Sequence, residues 1–126
     1  MTSDIVAMWK QAIPTGWEKL FEQLVQKISE QDDGAVIRDA KQKFGSLRLH
    51  LDRYTPATNE LIEAAMRQSA QTCERCGAPG TLMVHPSHYY ETLCEAHSGD
   101  AREVERGNVS KTYRLTPFKP TGEMDW

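Results

Sequence analysis

The sequence predicts an α+β fold: N-terminal helices and a β-hairpin, followed by a small module closed by cysteines. Three observations predict it. Apolar residues recur at helical spacing from Trp17 to Ile28. They then alternate at strand spacing through Leu47, Leu49 and Leu51. Finally, Cys73-Glu74-Arg75-Cys76 and Cys94-Glu95-Ala96-His97 make a C-x2-C and a C-x2-H turn across a 17-residue interval, which is the pattern of a structural metal site. With 126 residues the chain has the length of one ordinary domain. We expect a compact α+β unit over 1–106, including a zinc-ribbon-like module over 73–97, and an extended tail over 107–126.

In chain order, Ser3 or Asp4 is the expected cap of a short first helix. Its stripe is Ile5, Met8, Trp9 and Ala12, and Pro14 and Gly16 stop it. Thr15 to Glu18 has the T-x-x-E form of a capping box and should open the second helix. There Trp17, Leu20, Phe21, Leu24, Val25 and Ile28 share one face, opposite Glu18, Lys19, Glu22, Gln23, Gln26 and Lys27. Asp32-Asp33-Gly34 is a turn. A less regular strand follows over Ala35 to Lys41. Phe44-Gly45-Ser46 forms a hairpin loop in which glycine supplies the unusual dihedral. Thr55 caps a third helix with Pro56 in its first turn. Leu61, Ile62, Ala65, Met66, Ser69 and Ala70 give that helix a small-residue face for the leucines of the hairpin. Two short strands, Thr81 to His85 and Tyr89 to Leu93, join over Pro86-Ser87-His88. A polar helix from Ser98 to Arg106 and a strand from Lys111 to Leu115 complete the reading.

Cys73, Cys76, Cys94 and His97 are the expected ligands of one Zn²⁺. A C-x2-C turn places two sulfurs on one side of a tight knuckle, and a second knuckle completes a tetrahedron of soft ligands. Gly77 follows the second ligand, where the chain must turn back. His85 and His88 are alternatives for the fourth position, but Cys94-x2-His97 repeats the spacing of the first knuckle. Four protein ligands leave no place for water or substrate, so such an ion folds the chain rather than catalysing. The competing readings are buried free thiols or a redox C-x2-C pair, and neither explains the second knuckle.

Composition is that of an average soluble domain, 39% apolar and 26% charged. No apolar run approaches the ~20 residues of a membrane-spanning helix, and Met1-Thr2-Ser3-Asp4 does not begin a signal peptide. Three cysteines are poor disulfide material and suggest a cytoplasmic setting. The net charge of −3 argues against a general nucleic-acid binder. Positive charge nevertheless gathers on the hairpin, with Arg38, Lys41, Lys43, Arg48 and Arg53 against Asp39 and Asp52. These cations, with Tyr113, Phe118 and Trp126 of the tail, are candidate partner-binding residues, since aromatic anchors dominate many interfaces. The sequence contains no G-x-S-x-G, H-E-x-x-H, P-loop or dinucleotide fingerprint. No catalytic residues are therefore assigned, and neither a small-molecule substrate nor a membrane is expected as partner.

Gly16-Trp17 with the Leu20, Leu24 and Ile28 stripe comes first, then Lys41-x-Lys43-Phe44-Gly45-Ser46-Leu47-Arg48. Next come Cys73-Glu74-x-Cys76-Gly77-x-Pro79-Gly80 and Leu93-Cys94-x2-His97. This order of motifs resembles a group of small uncharacterised bacterial and phage proteins in which a K-x-K-F-G-x-L-R hairpin precedes a Cys-pair zinc module. The resemblance covers Gly16 to His97. It implies a bacterial, prophage or mobile-element setting and brings no catalytic residues. Small acidic proteins of such settings are often immunity proteins or inhibitors. The functional expectation is thus a non-enzymatic, zinc-stabilised protein-binding protein that neutralises a toxin or effector. The alternative is a nucleic-acid-binding or regulatory zinc-ribbon module.

Overall fold

The computed structural model describes residues 2–104. Three α-helices and two antiparallel sheets follow in the order α1 (Ser3–Lys10), α2 (Glu18–Gln31), β1 (Ile37–Lys43), β2 (Ser46–Leu51), α3 (Pro56–Ser69), β3 (Thr81–Val84), β4 (Tyr90–Leu93) and β5 (Arg102–Glu103). One sheet is the hairpin β1-β2, and the other has the order β4-β3-β5. The fold is α+β, as expected. No helix among the described residues is long and apolar enough to cross a membrane.

The core lies between α2, α3 and one face of the hairpin. Trp17, Phe21 and Ile28 are fully buried, and Leu20, Leu24 and Val25 nearly so, which is the apolar stripe read from the sequence. Leu47, Leu49 and Leu51 turn inward from β2. Helix α3 answers with Thr58, Ile62, Ala65 and Ser69, one row at helical spacing. Its small residues let it approach closely enough for the Leu47 amide to donate to the Ser69 hydroxyl at 2.7 Å. The irregularity foreseen in β1 is a bulge: Ile37 opposes Leu51, yet Asp39 opposes His50. The extra residue puts Ile37 and Ala40 on the buried face together. Val36 remains exposed. The Thr55 cap is present with its Thr58 partner in a reciprocal capping box.

Four expectations are corrected. Thr2, not Ser3 or Asp4, caps α1 by accepting the Ile5 amide at 3.3 Å. The α1 stripe buries no residue completely; Ile5 and Met8 face solvent, while Val6 and Trp9 rest on the core. This helix packs on α2, and among the described elements no second layer covers its apolar side. The Thr15 to Glu18 capping box does not form. Thr15–Trp17 wind into one 3-10 turn, and α2 begins behind Trp17 without a side-chain cap. Finally, among the described residues no helix follows His97. Glu95–His97 is a 3-10 turn and Arg102–Glu103 is a strand paired with β3. The segment has no apolar face to bury as a helix, whereas the edge of β3 offers backbone partners. The strand expected at Lys111 to Leu115 and the tail over 107–126 lie outside the described residues.

At the end of α2, Asp32 accepts two hydrogen bonds from Arg53, at 2.8 and 2.7 Å. These bonds hold the carboxyl below its ordinary value of 3.8, desolvation opposing them only in part. A depressed folded value contributes stability that is present above the unfolded value and lost as pH falls through the folded one. The urea midpoint of D32N should therefore lie below that of the wild type at pH 6, with the gap closing as pH drops below 3.8. Ser69→Ala should lower stability by about 1–3 kcal/mol at constant denaturant slope, because the buried Leu47 amide loses its acceptor.

Candidate metal centre

Cys73, Cys76, Cys94 and His97 converge, with one ligand atom from each lying within 4.8 Å of all the others. The Cys76 and Cys94 sulfurs are 3.7 Å apart. His97 Nδ1 lies 3.2 Å from the Cys94 sulfur and 3.8 Å from that of Cys73. A tetrahedral ion with bonds of about 2.3 Å to sulfur and about 2.0 Å to nitrogen requires ligand edges of about 3.5–3.8 Å. The edges of 3.7 and 3.8 Å match that size and the one of 3.2 Å is somewhat shorter, so the cluster is compact enough to close on one ion. All three cysteines are free, and a sulfur separation of 3.7 Å is far from the ~2.05 Å of a disulfide. The alternative histidines are elsewhere: His85 Nε2 is 2.8 Å from Glu91, and His88 is exposed in the β3-β4 turn at φ 68°.

The donors sit on two turns with different exposure. Cys73 is buried, Cys94 half-buried, and Cys76 and His97 exposed. Burial pushes the Cys73 thiol up, but hydrogen bonds from the Cys94, Arg75 and Cys76 backbones and from the Cys94 thiol outweigh it and bring it down to about 6. The Cys76 thiol moves upward: the Ala78 amide favours its thiolate, but desolvation and the neighbouring sulfurs prevail. One thiolate is thus favoured by backbone dipoles and the next is resisted by the first. A bound cation removes that resistance, because it favours every ligand in its deprotonated form.

The first knuckle is wedged into the body from both sides. On one side, the Gly16 amide donates to the Glu74 carbonyl at 2.8 Å, and the Trp17 indole donates to the Thr72 carbonyl at 2.9 Å. A Cβ on Gly16 would fall 2.1 Å from the Cys73 carbonyl oxygen, so only glycine permits this approach. On the other side the tip of the β1-β2 hairpin docks. The Thr92 hydroxyl donates to the Gly45 carbonyl at 2.6 Å. Gln42 Nε2 donates to both oxygens of Glu74 and to the Tyr90 carbonyl. Glu74, two percent exposed, also accepts the Thr92 amide at 2.7 Å. Burial pushes its carboxyl up to about 7 against the pull of those two donors. Glu91 is buried beside it, yet there the Arg75 and His85 hydrogen bonds overcome desolvation and hold the carboxyl low.

The sequence located the four side chains that cluster but not the residues that hold them. Gly16, Trp17, Gln42, Gly45, Glu74 and Thr92 all bear on the knuckle. Only the spacing of Gly16-Trp17 and of the K-F-G-S turn within the ordered motifs hinted at this. Of the proposed contact residues, Lys41, Lys43 and Arg48 line the outward side of the hairpin, and Arg38 is exposed at its bulge. Arg53 lies beyond the opposite end, bound to Asp32. Tyr113, Phe118 and Trp126 lie outside the described residues. Compared with known protein families, curated proteins and solved structures, the chain matches none.

Gly16→Ala should destabilise the protein by about 1–3 kcal/mol through overpacking against the knuckle. It should also weaken metal retention, measured by competition with a chromophoric chelator. Loss of metal affinity without loss of stability, or the reverse, would contradict the wedge.

Proposed function

We propose that the chain is a non-enzymatic protein whose single Zn²⁺ fixes its shape, and that it acts by binding another protein. The finer reading is an immunity or inhibitor protein that neutralises a bacterial toxin or effector in the cytoplasm. The observation that carries the proposal is the saturated ligand set, three sulfurs and one imidazole nitrogen compact enough to close on one ion. Soft thiolates with one imidazole suit zinc, and thiolates stay available in a reducing compartment. The module built on this cluster, with a three-stranded sheet beside two knuckles, is zinc-ribbon-like in arrangement. A filled coordination shell confines the ion to cross-linking, which leaves recognition to the protein surface.

The nucleic-acid alternative draws on the five cations of the hairpin region. They do not form one phosphate-binding face. Arg53 is engaged by Asp32, and Lys41 lies 3.4 Å from Asp39. That geometry favours a protein partner with its own pattern of charge over a polyphosphate backbone.

Purified protein should contain one zinc per chain by elemental analysis. Cobalt substitution should give the d–d absorption of a four-coordinate S3N site. A strong chelator should unfold the chain, since structural zinc supplies on the order of 10 kcal/mol. A protein without stoichiometric metal, or one unchanged in circular dichroism after chelation, would overturn the structural role. For the binding role, affinity capture from the native host should recover one stoichiometric protein partner. Repeated capture without one would refute it.

A further inference from the structure

The tip of the β1-β2 hairpin combines three features that each work against stability. Phe44 takes φ 54° and Gly45 φ 77°, so the two-residue turn is of the type that favours Asn-Gly. A bulky aromatic in the left-handed region is disfavoured there. The ring is also 48% exposed. Behind it, Lys41 and Arg48 stand directly opposite one another across the strands, a like-charge pair that the Asp39 carboxylate, 3.4 Å from Lys41, offsets in part. These features sit at the part of the hairpin most firmly held from below, by the Gly45–Thr92 and Gln42–Glu74 hydrogen bonds. Backbone strain held in place by rigid surroundings is a mark of contact sites.

We propose that this tip is the docking surface for the protein partner, with Phe44 as the anchor that enters an apolar pocket and Lys41, Lys43 and Arg48 facing carboxylates around its rim. The inference rests on the binding-protein reading above and adds the site and the chemistry of the partner. Charge supports an acidic rim: Lys41, Lys43 and Arg48 gather on the outward side of the hairpin, with Asp39 beside Lys41, in a chain whose net charge is −3. The ring's surroundings support a pocket rather than a stacked base. The Lys43 ammonium lies over the Phe44 ring, 5.7 Å from its centre. Tyr90 meets the same ring in a T-shaped contact at 5.8 Å. A ring with an ammonium over one face and a tyrosine braced against it is less open to stacking by a base. An exposed anchor braced by its neighbours loses less freedom on association.

A displayed library of random peptides, panned on the zinc-loaded full chain, tests this. The enriched peptides should carry several Asp or Glu residues around an aromatic or aliphatic one. They should bind F44N and, separately, K43A at least about tenfold more weakly. Asn suits the left-handed turn position, so F44N should keep or raise the unfolding midpoint while it loses binding; a merely structural Phe44 would not separate the two. Peptides enriched without acids would overturn the proposal, as would failure to enrich any peptide. So would tighter binding of a fluorescent single-stranded oligonucleotide than of the best acidic peptide. Acidic peptides that bind the wild type, F44N and K43A equally would overturn this surface while leaving the binding-protein reading standing.

Discussion

The contact on which the rest of the structure depends is the close fit of the Cys73–Cys76 knuckle between two parts of the chain far from it in sequence. Gly16 and Trp17 hold its backbone on one side, while Gln42 and Gly45 meet Glu74 and Thr92 on the other. A knuckle is a short turn with little apolar surface of its own. Its hydrogen bonds to carbonyls and amides of the main body are what join the metal module to the helices. The metal cluster and the hydrophobic core therefore belong to one mechanical unit. Interfering with either should be felt by the other, because they share Trp17, whose ring lies in the core and whose N–H reaches the residue before Cys73.

Glu74 shows how polar groups can specify such a junction. It occupies an almost fully buried place in the knuckle, where a carboxyl group bears a desolvation cost. Its carboxylate collects the Thr92 amide and the Gln42 amide group. Buried polar groups with satisfied partners fix geometry more strictly than apolar contacts, since a displaced partner leaves an unpaired group. The Gln42 amide also reaches the Tyr90 carbonyl, so a single side chain sets the position of the hairpin tip relative to both β4 and the knuckle.

The sequence made some of this legible and hid the rest for physical reasons. Periodicity exposed α2 and β2 because each has one wet face and one dry face, and the Leu47, Leu49, Leu51 alternation is the direct image of that. The Cys3His cluster was legible because two chelating turns of fixed spacing announce it. Helix α1 was over-read: its stripe has the right period, but Ile5 and Met8 remain exposed. The T-x-x-E signal failed at Thr15 because Gly16 and Trp17 are held by contacts with residues 72–74, beyond the reach of a local rule. The polar segment after His97 was misread as a helix because the free edge of β3, which recruits Arg102–Glu103, is a tertiary feature. The left-handed Phe44 had no signal, since glycine, asparagine and aspartate announce that conformation and phenylalanine does not.

The wedge that seats the knuckle also orders events during synthesis. Gly16 and Trp17 leave the ribosome long before Thr72 and Glu74, and Gly45 precedes Thr92 by nearly as much. Until those later residues emerge, the Trp17 indole has no acceptor at Thr72 and the hairpin tip has no floor beneath it. Contacts so distant along the chain delay completion of the native state. The N-terminal segment therefore gains its last backbone partners only after the Cys73–Cys76 turn has emerged, and the Cys94–His97 turn comes later still.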